Sequence, residues 1–313
     1  MKTKKRKEFT IMYKDPAIFC EYGITDNGTP YVRISGIDYF DVAAVFDCGQ
    51  AFRFIPVENS AHGCEYGGVA YGKYITLAQD EDTITLYGAT KEDMAIWIPY
   101  LGLDFDIVSA RADILSRSDN PALTAAIEYG RGIRILRQEK WETLCSFIIS
   151  QNNNIPRIRG LIRTLSRNLG QRIECTPELA AKAGEEVYSF PDADAVYRAG
   201  VDALREMKLG FRAPYIYDAA KKVVSGELDL EAVAMADNTA AAAQMLMSIK
   251  GVGPKVAACT LLFGFDRTDA FPVDVWVKRV IEKYFPAPFD ATALGAYAGL
   301  AQQYLFYYER SLN

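Results

Sequence analysis

The chain has 313 residues, half of them hydrophobic and 24% charged, with a formal net charge of −5; this is an ordinary globular composition, long enough for one large domain or two of usual size. No run of about 18 apolar residues is present, which argues against a membrane-spanning helix. The six cysteines (Cys20, Cys48, Cys64, Cys145, Cys175 and Cys259) form no C-x-x-C pair and His62 is the only histidine, so a zinc ribbon, an iron–sulfur loop, a His-based metal site and a Ser-His-Asp triad all lack support.

The opening Met1-Lys-Thr-Lys-Lys-Arg-Lys has no apolar segment behind it and reads as a solvated basic tail rather than a signal peptide. Scattered cysteines without such a signal suggest reduced thiols in a cytosolic setting. Up to about residue 110 the pattern is strand-like. β-Branched and aromatic residues alternate with polar ones in YVRISG (31–36), KYITLAQ (73–79) and TITLYG (83–88), with a turn at Asp26-Asn27-Gly28. His62, in a Gly-rich stretch, is expected at the surface. From about residue 111 the period becomes helical. WETLCSFIIS and IRGLIRTLSRNLG place apolar residues at i, i+3, i+4 and i+7; Gly170 closes the second, and DALREMKLG is expected to end likewise at Gly210. The expected fold class is α+β: an antiparallel β-rich domain over residues 1–110 and an all-helical domain over 111–313. Between Arg131 and Arg167 the chain carries a net charge of +6, against the acidic whole, so one segment is suited to a polyanion.

Within the helical half, SIKGVGPKVAACTLL (248–262) breaks one apolar stripe and opens another. Gly251-Val252-Gly253 permits backbone conformations barred to other residues, and Pro254 suits the first turn of a new helix, where its missing N–H has no intrahelical partner to lose. The result is a helix–hairpin–helix whose outward amides, at Gly251 and Gly253, can grip a phosphate. Lys255 then sits at a helix N-terminus, where the dipole and partial burial beside Val256 and Cys259 both disfavour the charged form. A free amine is a nucleophile. A solvated lysine contacting a phosphate is, on the hairpin alone, an equally good reading.

Downstream, in AFPVDVWVKRVIEKYF (270–285), Val277, Val280, Ile281 and Tyr284 mark a helix face and Asp274 stands at its N-cap. A cap is a sufficient role for Asp274. Facing Lys255, however, its carboxylate would stabilise positive charge on a sugar, and an amine with a fixed carboxylate suits cleavage of an N-glycosidic bond through a Schiff base at C1′.

These residues, with FIISQNNNIPRIRGLI (147–162), KLGFRAPYI (208–216), YAGLAQQYLF (297–306), DCGQAFRF (47–54) and PYLGLDFD (99–106), resemble the helix–hairpin–helix–GPD superfamily of DNA glycosylases. Within it they are most similar to the 8-oxoguanine DNA glycosylase/AP lyase family. The resemblance implies a TATA-binding-protein-like antiparallel β-domain followed by the helical domain. It implies Lys255 as the Schiff-base nucleophile and Asp274 as the catalytic carboxylate, with the base extruded from the duplex into a pocket. Phe306 and Cys259 would sandwich that base, Gln302 would bond its Watson–Crick edge, and the Gly49 carbonyl would accept from N7–H. Asn152 would fill the gap in the helix, Arg157 and Arg212 would bond the orphaned cytosine, and Phe211 would wedge beside it. No cofactor is required by this reading; the superfamily can hold a monovalent cation at the hairpin, and the iron–sulfur loop of the endonuclease III branch is absent. The implied partner is double-stranded DNA containing oxidised guanine, bound by a monomer with no membrane association. The expected compartment is cytoplasmic (nucleoid-associated in a bacterium) or nuclear in a eukaryote. Two departures stand out: Trp276 where animal enzymes carry histidine, and Phe211 where tyrosine is usual. A monofunctional alkylbase glycosylase and a non-catalytic hairpin that only holds DNA are the competing readings.

Overall fold

A computed structural model of the protein describes residues 8–10 and 18–312; the basic tail Met1 to Lys7 lies outside them. Strands β1 (Glu8–Thr10), β2 (Phe19–Ile24), β3 (Pro30–Ser35), β4 (Ile55–Pro56), β5 (Cys64–Ala70), β6 (Lys73–Asp80) and β7 (Thr83–Tyr87) form an antiparallel sheet in the order β1-β2-β3-β7-β6-β5-β4. Alternation along β3 buries Val32 and Ile34, which pair in register with Leu86 and Ile84, and Leu86 in turn faces Leu77. Period two therefore gathers these side chains on one face. The Val42–Asp47 helix covers that face with Val42, Val45 and Phe46; Asp41 starts it by accepting the Ala44 N–H, and Phe46 stacks on Phe54 with centroids 4.3 Å apart.

The strand pattern expected to about residue 110 stops at Tyr87. Helices Met94–Tyr100 and Ile107–Ser116 follow at once, the first sealing the sheet with fully buried Trp97 and Ile98. A seven-residue helix is too short to display a 3.6 period, which is why the local pattern hid it. Beyond it, the Lys140–Ser150 helix buries every residue from Thr143 to Ile149. Such a helix is apolar all round because neighbours surround it. Phe147 on it stacks against Phe263 of the Pro254–Gly264 helix, centroids 5.4 Å apart. The Ala298–Ser311 helix returns to the N-terminal half, where Ala301, Tyr304 and Leu305 pack with Ala44 and Cys48.

One local expectation is corrected. The helix expected to run to Gly210 ends at Glu206; Lys208 takes φ +66° and Gly210 opens a short 3-10 turn, Gly210–Arg212. Leaving the helix there lets Leu209 enter the core and Arg212 reach the neighbouring loop. His62 lies at the partly exposed position expected of it, where it bonds Asp80 through Nδ1 at 2.5 Å and the Tyr87 hydroxyl through Nε2 at 3.0 Å. Among the described residues no helix is long and apolar enough to cross a membrane.

Candidate active site

The hairpin forms as its glycines demand. The Thr239–Met247 helix ends in a turn where Gly251 takes φ +79°, and a Cβ there would lie 2.3 Å from the Tyr215 ring. Gly253 is the N-cap of the Pro254–Gly264 helix, with Pro254 in the first turn and no side chain bonding the exposed amides. Those N–H groups stay open to an anion. Lys255, half-buried in the first turn, directs Nζ to the Ser150 hydroxyl at 3.3 Å and lies 5.4 Å from the Phe147 ring centroid.

Asp274 caps the Val275–Tyr284 helix: Oδ1 accepts from the N–H of Trp276 at 2.9 Å and of Val277 at 2.8 Å. Both bonds fall on one oxygen, and the other has no hydrogen-bond partner among the described residues. Lys255 and Asp274 line the same cavity of about 970 Å³, together with Gly49, Asn152, Phe211, Gly253 and Phe306. The cavity continues into a narrow recess of about 50 Å³, lined again by Lys255, Asp274, Gly49 and Phe306 and also by Cys259 and Gln302.

In the recess, Gln302 is 4% exposed and its Oε1 has no hydrogen-bond partner. A buried acceptor left open is uncommon, and it favours a ligand with a matching donor. Burial pushes the Cys259 thiol up to about 11, against the pull of the Lys255 charge, so it remains a neutral, polarizable wall. Gly49 takes φ +82°, and a Cβ there would come within 3.3 Å of the Phe306 ring, so only glycine brings its backbone this close to the aromatic face.

The loop from Gln151 to Asn154 joins the Lys140–Ser150 and Ile155–Leu169 helices. Asn152, at its tip, is exposed at φ +49°. Asn154 caps the second helix by accepting the Arg157 N–H at 3.0 Å, and Asn153 Nδ2 donates to the Ile149 carbonyl at 3.1 Å. Arg212, 2% exposed, donates Nε to the Gln151 carbonyl at 3.0 Å and Nη2 to the Asn152 carbonyl at 3.0 Å, and its Cζ lies 4.3 Å from the Phe211 ring centroid. Burial, seconded by the nearby Arg157 charge, pulls its guanidinium below the usual range. Arg157, Arg212 and Gly251 are not among the residues that line the cavity.

Residues 33–144 match the family described as "8-oxoguanine DNA glycosylase, N-terminal domain", and residues 145–295 the "HhH-GPD superfamily base excision DNA repair protein". A Saccharomyces cerevisiae N-glycosylase/DNA lyase is 30% identical over 262 residues, 77% of this chain and 67% of that protein. The Clostridium acetobutylicum 8-oxoguanine glycosylase/lyase, solved with double-stranded DNA containing cytosine opposite 8-oxoG, is 33% identical with a TM-score of 0.82, covering 93% of this chain and 98% of that one. An Arabidopsis thaliana N-glycosylase/DNA lyase is 29% identical over 290 residues, 83% of this chain and 75% of that protein. The chain belongs to the 8-oxoguanine DNA glycosylase/lyase family. It is a base excision repair enzyme of the helix–hairpin–helix–GPD superfamily, with the sheet-then-helices architecture that the resemblance implied.

For this glycosylase/lyase, local sequence passed over several groups in the site. Ser150 and Phe147, which touch the Lys255 amine, belong to an otherwise ordinary buried helix. Arg310 lines the cavity, donates Nη1 to the Asp47 carbonyl at 3.1 Å and lies 5.6 Å from the Phe306 centroid. A helical spacing of four from Phe306 is the one signal that could have drawn attention to it. The basic segment also divides. Arg134 and Arg137 turn inward to carbonyls and to Asp104, while Arg157 and Arg167 stay exposed.

Proposed function

We propose that this enzyme removes 8-oxoguanine opposite cytosine from duplex DNA and then nicks the strand at the abasic site. The observation that carries the reading is one cavity bordered by both Lys255 and Asp274 and ending in a recess where the buried Gln302 Oε1 has no partner. The lesion is flipped out of the stack, because its sugar cannot be reached inside the duplex. The Lys255 amine attacks C1′: the Nζ–C1′ bond forms as the bond to N9 breaks, and the electron pair leaves with the purine, which takes up a proton. Ring opening gives a Schiff base; loss of a C2′ proton then expels the 3′ phosphate by β-elimination. The open oxygen of Asp274 stabilises positive charge on the sugar throughout.

The base is held by Phe306 and Cys259 on its two faces and by Gln302 at its Watson–Crick edge, and the Gly49 carbonyl accepts N7–H. Guanine lacks that hydrogen, and one such bond is worth roughly 1–3 kcal/mol when its absence leaves a buried group unpaired. Asn152 enters the gap, Phe211 wedges beside the orphaned cytosine, Arg157 bonds that cytosine, and Arg212 does so from its place behind the loop. The amides of Gly251 and Gly253 take a phosphate. No cofactor enters the chemistry. Among the described residues the carbonyls of Lys250, Gly251 and Val252 receive no backbone hydrogen bond, which supports them as oxygens that would hold a monovalent cation. The enzyme acts as a monomer, in the cytoplasm or, in a nucleated cell, the nucleus.

Borohydride reduction of enzyme mixed with an 8-oxoguanine:cytosine duplex is expected to trap a covalent adduct, and Lys255→Gln to abolish it. Undiminished trapping in the variant rules out the nucleophile. Release of methylated adenine without strand nicking replaces this reading with the monofunctional one.

A further inference from the structure

The turn from Asp47 to Gln50 is held by its carbonyls. Arg310 Nη1 donates to the Asp47 carbonyl at 3.1 Å, Gln303 Nε2 to the Cys48 carbonyl at 2.5 Å and Gln138 Nε2 to the Gln50 carbonyl at 2.8 Å. The Gly49 carbonyl, between the last two, accepts from no group among the described residues. Of these four turn residues, Gly49 is the one that lines both the active-site cavity and its recess.

The grip matters because the open carbonyl belongs to a glycine. A peptide group is planar and turns as a unit, and beside a glycine no Cβ resists the turning. Here the peptide planes before and after the Gly49 carbonyl are each pinned by a side chain. Gln50 is itself fully buried, with its amide bonded to the Val45 and Arg134 carbonyls and to the Leu136 N–H. The intervening carbonyl therefore has little room to swing.

The three donors reach the turn from two directions. Arg310 and Gln303 stand on the Ala298–Ser311 helix, which also carries Phe306. A Cβ at Gly49 would lie 3.8 Å from Arg310 Nη1. Gln138 comes from the other side: its backbone N–H donates to the Phe263 carbonyl at 2.9 Å, near the end of the helix that opens with Pro254 and Lys255. The turn is thus tied at once to the Phe306 helix and to the Lys255 helix.

We propose that Arg310, Gln303 and Gln138 are positioning residues, which fix the Gly49 carbonyl where it accepts N7–H of 8-oxoguanine. The proposal rests on the base contact assigned to Gly49 above. A site that reads one hydrogen has to be held within about 0.5 Å of its productive geometry, and these bonds supply that restraint.

The test uses the full-length protein carrying Lys255→Gln, so that duplexes bind without being cut. It reads the affinity for an 8-oxoguanine:cytosine duplex relative to an otherwise identical guanine:cytosine duplex. The Lys255→Gln protein prefers the lesion. Added Gln138→Met, at a residue that lines neither cavity nor recess, lowers that preference about tenfold through weaker lesion binding alone, and Arg310→Met does the same. Arg310→Lys, which keeps a donor, stays within about threefold of the starting preference. Thermal melting checks that the variants are folded, and Gln303→Met replaces either one that is not. An unchanged preference in the folded variants overturns the proposal, and so does equal weakening toward both duplexes, which makes Arg310 a phosphate contact. Loss with Arg310→Met and none with Gln138→Met also overturns it, because the guanidinium then touches the lesion itself. If the Lys255→Gln protein shows no preference at all, the Gly49 contact falls and the positioning roles with it; a preference that the variants retain removes the positioning roles alone.

Discussion

The Arg134 centre and the Lys255 cavity are both polar islands in apolar surroundings, and they resolve their hydrogen bonds in opposite ways. Arg134 is 1% exposed, and its guanidinium donates to the carbonyls of Gly102, Phe105, Asp38 and Tyr39, tying the strand-linked loops to the helical half. Around Lys255, by contrast, one oxygen of Asp274 and Oε1 of Gln302 have no protein partner. A buried polar cluster that satisfies itself is architecture; one that stops short is where a ligand completes it.

The most damaging test of that contrast is Arg134→Leu. It orphans several buried carbonyls at about 1–3 kcal/mol each, against a total stability of about 5–15 kcal/mol. Circular dichroism should find the variant largely unfolded; a cooperative transition near the wild-type melting temperature would deny Arg134 its structural role. Asp274→Asn should do the reverse. Asparagine caps a helix as well as aspartate, so stability should hold to within about 1 kcal/mol. The trapping rate should meanwhile fall by about 10²–10³. Equal losses of stability and rate would return Asp274 to a cap and nothing more.

Gln302→Ala is expected to lower kcat/KM on the 8-oxoguanine duplex about tenfold and to leave nicking of a pre-formed abasic site unchanged, since its partner exists only while the base is present. A matched fall in both assays would put Gln302 outside base recognition. The remaining test concerns a group between the two extremes. Glu142 meets Arg53 at 3.2 Å, yet burial, ahead of the Arg53 attraction that opposes it, raises its carboxyl to about 7. The folded state then holds that proton more tightly than the unfolded chain, so stability should fall as pH rises from about 4.5 to 7 and level off above. Glu142→Gln should flatten urea midpoints over that window; an unchanged slope would place the titration elsewhere.

Legibility followed range. The sequence by itself determined the hairpin, the helix that opens at Pro254 and the cap at Asp274, because a glycine's backbone freedom, a proline's missing N–H and a side chain bonding two or three residues ahead all act within one turn. It also marked the family of motifs that pointed to Gly49, Cys259, Gln302 and Phe306, though nothing local distinguished those side chains from core and surface. Only the tertiary structure decided which cations of the basic segment face outward, that Ser150 touches the Lys255 amine, and that the C-terminal helix closes on the Cys48-Gly49 turn. The bond from Gln303 to the Cys48 carbonyl spans 255 residues. A recess built across that distance depends on how whole layers pack, and no periodicity along one segment records it.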